Sequence, residues 1–408
     1  PPRSTLFPYT TLFRSLLDGA PKNRVFEILK ASEAISKVIG QYKVTAGTID
    51  ATQSQFPYII QYHETDFDFV VRLAALHGLY TIYDGSSITC IAPDNSKSSE
   101  TVKWNEMLGA FSLQLGTGPF RYSSASYNAA TGKLYVSDEQ AVRMNRSLGN
   151  LPSKSEKASK EIYEGMGVSD VGMTAHEQAL LDGYMKWERG HNLAQMVRCV
   201  GQASLPAIRP GTKLKVEGLD GIADVYFVEH VEHFISGGKY YNTFSGTPLA
   251  TASPRPRRLP APQPELQTAV VTNVDDPEKL GRIKVKFNWP TQLESDWMRF
   301  TTAHAGADHG LYVLPEIGDE VLVGFEHGDP SAPIIIGSLY NGQAKPDAAL
   351  VAKDNMKKGL TTKSGHRIVL TDEGGKETIE IITKDKKCQV LLDAANKAIT
   401  IQSGGDRS

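Results

Sequence analysis

Apolar positions near the start of the chain change period more than once. Over residues 25–42, Ile28, Ala31, Ile35, Val38 and Tyr42 recur at helical spacing and predict an amphipathic helix. Residues 56–62, Phe-Pro-Tyr-Ile-Ile-Gln-Tyr, read as a strand. Thr65 then stands where an N-cap belongs, with Asp68 three residues on. Phe69, Leu73 and Leu76 follow at helical spacing, and Gly78 suits the C-cap. Residues 79–83 and 88–91, bridged by Asp84-Gly85-Ser86-Ser87, predict a hairpin. Strand, helix and hairpin together make an α+β unit.

Residues 115–172 are polar and weakly periodic, which predicts strands and a long loop around 150–159. A helix is expected over 174–190, with Thr174 and Glu177 forming a capping box. Short strands follow at 194–200, 213–216, 225–234 and 240–244. Residues 253–264, SPRPRRLPAPQP, hold five prolines and can form neither a ladder nor a helix interior. They predict a stiff linker and the main domain boundary. Beyond it, residues 267–340 pack short strands (268–272, 282–287, 321–325, 334–339) between turn signals, as a small closed OB-like barrel would.

The tail has its own rhythm. Ile368 and Leu370, Ile379 and Ile381, Val390 and Leu392, and Ile399 and Ile401 form brief alternating runs separated by polar turns. The pitch, roughly ten residues, is that of a β-meander or β-helix. Such a sheet has nothing to cover its apolar face, and three copies winding together would close it.

Composition adds exclusions. The 408 residues are 40% hydrophobic and 22% charged, with net charge −2, and long enough for two or three domains. Nothing in that balance points to nucleic acid or an anionic membrane. Apolar runs such as Pro333-Ile334-Ile335-Ile336 fall far short of a membrane span, and no basic-then-apolar leader opens the chain. Cys90, Cys199 and Cys388, far apart and odd in number, are expected to be small buried hydrophobes in a reducing compartment. Residues 1–15 carry a mirrored repeat that resembles an assembly scar and are set aside.

Candidate chemistry reduces mostly to turns. Pro315, Gly318 and Asp319 predict a tight turn feeding a strand, and Gly328-Asp329-Pro330 a second. A catalytic carboxylate pair drawn from Asp319, Glu320 and Asp329 is the rival reading, and turn chemistry outweighs it. Glu64, Asp66 and Asp68 straddle a strand-to-helix junction, where a helix N-terminus favours acids without any metal. His230 and His233 sit in one strand and face opposite ways, so they cannot share an ion. His304, Asp308 and His309 in a glycine-alanine loop could meet a metal, although no fourth ligand is evident. G-x-S-x-G, P-loop and Rossmann fingerprints are absent. Core packing is the expected role of the barrel aromatics Phe287, Trp289, Trp297, Phe300, Tyr312, Phe325 and Tyr340, rather than base stacking. No catalytic residue, cofactor or metal is assigned.

Two strings resemble a known family. The first is Gln61-Tyr62-His63-Glu64-Thr65-Asp66-Phe67-Asp68-Phe69-Val70-Val71-Arg72-Leu73. The second runs Leu314-Pro315-Glu316-Ile317-Gly318-Asp319-Glu320-Val321-Leu322-Val323-Gly324-Phe325, then Gly328-Asp329-Pro330 and Ile335-Ile336-Gly337-Ser338-Leu339-Tyr340-Asn341. Asp276-Pro277, Gly281-Arg282 and Trp297-Met298-Arg299 support it. Together they resemble the VgrG spike family of type VI secretion systems, from about residue 56 onward, with these residues in structural roles.

The resemblance implies a mainly β protein: a phage tail hub-like β-barrel domain with short helices over 16–250, a linker over 251–265, an OB-fold over 266–345 and the start of a triple-stranded β-helix needle over 346–408. It implies a homotrimeric, non-enzymatic spike with an Hcp-like tube protein at the hub end. A PAAR-type tip protein and effectors would sit at the needle end, with the target membrane contacted only mechanically and no nucleic acid bound. Such a protein is cytoplasmic when assembled and is then injected by the apparatus. The spike of a phage tail or extracellular injection particle is the alternative of the same kind, and an effector-fused enzyme with its catalytic domain past residue 408 a third. About eighteen residues separate Asn341 from Gly359, too few for the lysozyme domain some phage spikes carry. Both ends look cut, as in a partial reading frame.

Overall fold

Among the described residues a strand precedes the helix Ala31–Ile39. In the computed structural model, which describes residues 17–83, 87–138, 150–163, 165, 167–168, 175–222, 224–254, 264–290, 294–351 and 353–404, β1 (Lys22–Lys30) precedes α1 (Ala31–Ile39). The helix expected over 25–42 is therefore confined to its middle, Ala31–Ile39. β2 (Thr45–Ile49) and β3 (Gln55–Glu64) follow, and β1 pairs antiparallel with β3. That pairing decides the conflict. Phe26 is buried and stacks on Phe69 at 5.5 Å, whereas Ile28 points to solvent with φ 50°. The helical period matched Ile28 by coincidence.

α2 (Asp66–Ala75) starts as read from the sequence, with the Thr65 hydroxyl accepting the Asp68 N–H at 3.1 Å. It ends at Leu76 rather than Gly78, which instead takes φ +71° two residues later. β4 (Tyr80–Tyr83) and β5 (Ser87–Ile91) form the expected antiparallel hairpin, and its turn at 84–86 lies outside the described residues. α1, α2 and the hairpin bury Leu17, Ile35, Val38, Leu73, Ile88 and Cys90 together.

β6 (Ser99–Lys103), β7 (Leu108–Leu115), β8 (Tyr122–Asn128) and β9 (Lys133–Ser137) come next. Residues 150–159, expected as a loop, lie in α3 (Asn150–Ile162). This helix has little apolar periodicity, burying Pro152, Ser155 and Ser159, and Ser159 reaches Met196 through a hydroxyl–sulfur contact. After β10 (Gly167–Val168), α4 spans Gln178–Met196, later than the expected 174–190, and Thr174 falls outside the described residues. β11 (Val197–Ala203), β12 (Lys213–Glu217), β13 (Val225–Ser236) and β14 (Lys239–Pro248) complete a six-stranded half-barrel ordered β6-β12-β13-β14-β11-β7. Its core buries Val102, Leu108, Cys199, Leu214, Tyr226 and Phe244. Gly201 makes room for the Phe244 ring, which would lie 2.3 Å from any Cβ there. Most of the proline-rich stretch, 255–263, lies outside the described residues.

β15 (Gln267–Asn273), β16 (Lys284–Phe287), β17 (Arg299–Phe300), the short hairpin β18 (Ala305–Gly306) and β19 (His309–Gly310), β20 (Glu320–Phe325) and β21 (Pro333–Leu339) follow. Five of them form a sheet ordered β16-β15-β20-β21-β17. Ala269, Val271, Ile283, Val285, Phe287, Met298 and Val321 are buried, as the barrel reading expects. The aromatics divide: Phe287 and Trp289 are buried, but Tyr312 and Tyr340 are 76% and 74% exposed, so core packing does not explain those two. The last element is a meander, β22 (Lys357–Thr361), β23 (Arg367–Thr371), β24 (Thr378–Ile382), β25 (Gln389–Asp393) and β26 (Ala398–Gln402), each antiparallel to the next. Cys90 and Cys199 are buried as expected. Cys388 is exposed, because it sits in the β24–β25 connection where there is no core. By contacts the chain divides into two compact units: Pro1–Leu266 with Trp289–Asp296 and Gly324–Ile334, and Gln267–Asn288 with Trp297–Val323 and Ile335–Ser408.

The corner between β3 and α2 is held by charge inside apolar packing. Asp66 is buried and accepts from Lys22 Nζ at 2.8 Å and Gln61 Nε2 at 2.9 Å, with Arg24 and Tyr42 also closing on it. Gln61, fully buried, takes the Arg24 Nε–H on its oxygen at 2.8 Å and donates to the Glu64 carbonyl. Beside them Glu64 receives Arg72 at 2.6 and 2.9 Å, and the Arg72 guanidinium lies 5.6 Å from the centre of the Phe69 ring. Burial alone would raise the Asp66 pKa, but the bonds from Lys22, Tyr42 and Gln61 and the Arg24 charge hold it below the usual aspartate value. For Glu64 burial prevails over Arg72 and the pKa rises.

Removing one partner from such a cluster strands the others. Asp66→Asn should destabilise the first unit by about 3–5 kcal/mol in urea unfolding at pH 7. Because the Asp66 pKa is depressed on folding, its stabilisation is present above the unfolded value of about 3.9 and fades as pH falls through the folded one. The variant should therefore lose less stability than the parent as pH falls below about 5. Equal acid sensitivity in the two proteins would contradict this assignment.

Candidate functional site

Alternation along the meander places chemically distinct residues on its two faces. On one, Leu360, Ile368, Ile381, Val390 and Ile401 oppose one another in successive strands. A parallel row runs Lys358, Leu370, Ile379, Leu392 and Ile399. Nine aliphatic side chains thus form one continuous face, and most are substantially exposed, up to 76% at Ile401. The reverse face carries Val369, Glu380, Leu391 and Thr400 in one row and Arg367, Ile382, Gln389 and Gln402 in another. Val369 is buried there. Contiguous apolar surface of this kind marks an interaction site.

The start of the meander is tied to the segment before it. Asp347 accepts from Arg367 Nε at 2.7 Å and Thr361 Oγ1 at 2.8 Å. The Ala349 N–H, then Thr361, hold its carboxyl below the ordinary range. Lys363 reaches Glu316 at 3.3 Å.

The residues singled out in the barrel fall mainly in turns. Pro315 is buried, Gly318 takes φ +97°, and Asp319 closes the loop by accepting the Glu316 N–H at 2.9 Å. The Asp319 carbonyl and Gly318 N–H then bond Val271 of β15. Glu320 accepts from Asn341 Nδ2 at 2.6 Å, Asn341 Oδ1 caps the Gln343 and Ala344 amides, and Val321 is in the core. In the second turn Gly328 takes φ +69°, Asp329 accepts the Ser331 N–H at 2.8 Å, and Pro330 is buried. Gly337 lies in β21. Tyr62 contacts Trp289 and Phe325 at ring distances of 5.6 and 6.5 Å, while Phe67 and Phe69 join the first core. Each acid of the rival carboxylate reading is engaged in turn or side-chain bonding.

Gly281, at φ +72°, turns the chain so that Arg282 grips Asp276 through Nε at 3.0 Å and Nη2 at 2.8 Å. Asp276 also accepts the backbone N–H groups of Glu278, Leu280 and Arg282. The Arg282 guanidinium, aided by those amides, holds the Asp276 carboxyl far below the usual range. This grip removes Arg282 from the strand expected over 282–287, which begins at Lys284. Sequence reasoning missed Asp276 as Arg282's partner, and missed Lys22, Arg24 and Tyr42 as partners of Asp66. A buried-acid rule, requiring a cation for every acid in an apolar string, would have prompted the search.

His230 and His233 face opposite sides of β13: His230 contacts Glu232 at 3.3 Å, and His233 Nδ1 lies 2.7 Å from the Tyr240 hydroxyl. The His304 and His309 rings come together, 5.2 Å between centres. Among the described residues no group of three or more His, Cys, Asp or Glu side chains is placed to hold a metal. Nor, among them, is any helix long and apolar enough to cross a membrane.

Comparison with known proteins agrees with this architecture. The profile of the phage tail baseplate hub (GPD) family matches residues 15–238. That of the type VI secretion system/phage-baseplate injector OB domain matches 267–340. The type VI secretion system spike protein VgrG1a of Pseudomonas aeruginosa is 25% identical, over 97% of this chain and 66% of its own length. The actin cross-linking toxin VgrG1 of Vibrio cholerae is 25% identical, over 88% of this chain and 35% of its own length. The chain thus spans between a third and two thirds of these relatives. An Escherichia coli type VI secretion component, described as similar to the T4 tail proteins gp27 and gp5, superposes with TM-score 0.51 at 16% identity, covering 81% of this chain and 76% of that one. A chain of the half-lidded Francisella PdpA–VgrG complex gives 0.53 at 8% identity, with 96% and 71% covered. These likenesses establish a mainly β fold of the spike and hub type.

Arg282→Ala should destabilise the barrel by about 3–5 kcal/mol, since it leaves the buried Asp276 charge unpaired. Arg282→Lys keeps the charge but loses the paired N–H geometry and should fall between. Thermal unfolding of the three proteins checks the order, and a lysine variant as stable as the parent would refute the role of the planar fork.

Proposed function

The chain belongs to the phage tail baseplate hub family, and on that premise we propose that it is a structural spike component of a contractile injection apparatus, working as a homotrimer. The observation that carries the reading is the face of nine aliphatic side chains on a one-layer sheet, preceded by hub and injector-OB segments. Three copies can close such a face around a common axis, each burying its rows against its neighbours and forming the first turns of a needle. Fully burying an exposed isoleucine contributes about 1.5–3 kcal/mol. Most of these side chains are already half-buried, so each adds a fraction of that, and nine together still favour assembly.

The role is mechanical rather than catalytic. An Hcp-like tube protein would meet the hub end, and a PAAR-type tip protein and effectors the needle end. The apparatus would carry the assembled spike out of the cytoplasm. The relatives named as type VI secretion spike proteins favour that apparatus over a phage tail or an extracellular particle. The toxin named among the relatives extends well beyond the span matched here, and the third relation, a fused effector, would reside in such a region.

The test is assembly. The parent should sediment as a trimer, and Ile379→Asp with Ile381→Asp should sediment as a monomer with an unchanged barrel by near-ultraviolet circular dichroism. A monomeric parent, or a trimeric double variant, would overturn the reading.

A further inference from the structure

The hairpin β18–β19 stands outside the roles described so far. Residues 301–313 are all exposed. Ala305 pairs with Gly310 and Gly306 with His309, and the Leu311 N–H bonds the His304 carbonyl at 2.8 Å. This register puts His304, Gly306 and His309 on one face of the hairpin. The two imidazoles meet above Gly306, their centres 5.2 Å apart and their planes inclined at 54°, far from a parallel stack.

We propose that His304 and His309 together chelate a divalent transition-metal ion of the Zn2+, Ni2+ or Cu2+ class. Two imidazoles sharing a tetrahedral ion at metal–nitrogen distances of about 2.0–2.1 Å hold their centres roughly 5 Å apart, the spacing found here. The tautomer of His309 fits as well. Its Nδ1 lies 2.7 Å from the Ala307 carbonyl oxygen, which can only accept, so Nδ1 carries the proton. In the neutral ring the lone pair is then on Nε2, and a backbone carbonyl behind a ligating histidine is the usual way of orienting it.

Gly306 supplies the room. A Cβ at that position would lie 2.4 Å from His309 Nε2 and 2.5 Å from Cε1, so any larger residue displaces the ring. No third His, Cys, Asp or Glu converges among the described residues, so water completes the coordination sphere. Affinity should follow the order of the metals for nitrogen ligands, with Cu2+ tightest.

The full chain, stripped with chelator, is titrated with Zn2+ and Cu2+ by calorimetry, and the Cu2+ form is read by electron paramagnetic resonance. One ion per chain at the tightest site and a two-nitrogen signature are expected. His304→Gln and His309→Gln should each weaken binding at least about ten-fold. Gly306→Ala, which keeps both imidazoles, should weaken it too, with the fold unchanged by circular dichroism. A tightest site that both glutamine variants leave intact would belong to other histidines among the chain's ten and would overturn the proposal. Absence of binding, or the parent affinity in Gly306→Ala, would overturn it equally.

Discussion

A single-layer β-sheet cannot hide both of its faces, and that constraint governs the last part of this chain. In the meander the backbone ladder is satisfied between neighbouring strands, so what its faces leave exposed is largely apolar side-chain surface. The half-barrel and the OB-like sheet each own a buried interior, of Val, Leu and Phe in the first and of Val, Ile and Phe in the second. The meander's aliphatic face has no such interior. Its demand is for area, which a second surface of the same chemistry satisfies without any new pattern of hydrogen bonds.

Elsewhere the same local device appears twice. At the β3–α2 corner Asp66, and before β16 Asp276, each fixes a change of chain direction by gathering donors onto one buried carboxylate. Asp66 uses side chains distant in sequence, Lys22 and Tyr42 among them, and so fastens separate elements. Asp276 uses amides and a guanidinium from its own turn, and so fastens only itself. Neither arrangement is a cheap source of stability, because desolvation offsets much of the attraction. What each secures is a direction of chain.

Much of this was legible in the sequence, and the failures have physical reasons. The Thr65 cap, the β4–β5 hairpin and the alternating runs from Ile368 onward depend on neighbours in sequence, and they stand as read. Residues 25–30 were misread because Ile28, Ala31 and Ile35 satisfy a helical period while pairing with β3, a partner some thirty residues away, decides for a strand. The helix over Asn150–Ile162 was missed for the opposite reason: serines and lysines fill it, and its tertiary contacts are made partly by small polar residues. Most of the apolar face was readable, since period-two alternation assigns eight of its nine aliphatic residues; Leu360, on the strand before the first of those runs, was not among them. The carboxylate clusters were not, because no spacing rule connects Lys22 to Asp66.

The meander's strands begin at Lys357, Arg367, Thr378, Gln389 and Ala398. Neighbouring strands lie about 4.8 Å apart, so each further repeat of roughly ten residues extends such a sheet by one fixed increment. Length is thereby written into the sequence as a count of repeats, much as divisions are marked on a rule. An insertion of one whole repeat preserves which residues face inward, whereas a one-residue slip within a strand turns its aliphatic side chains to the other face. Evolution can therefore alter reach in discrete steps while leaving the chemistry of the face untouched.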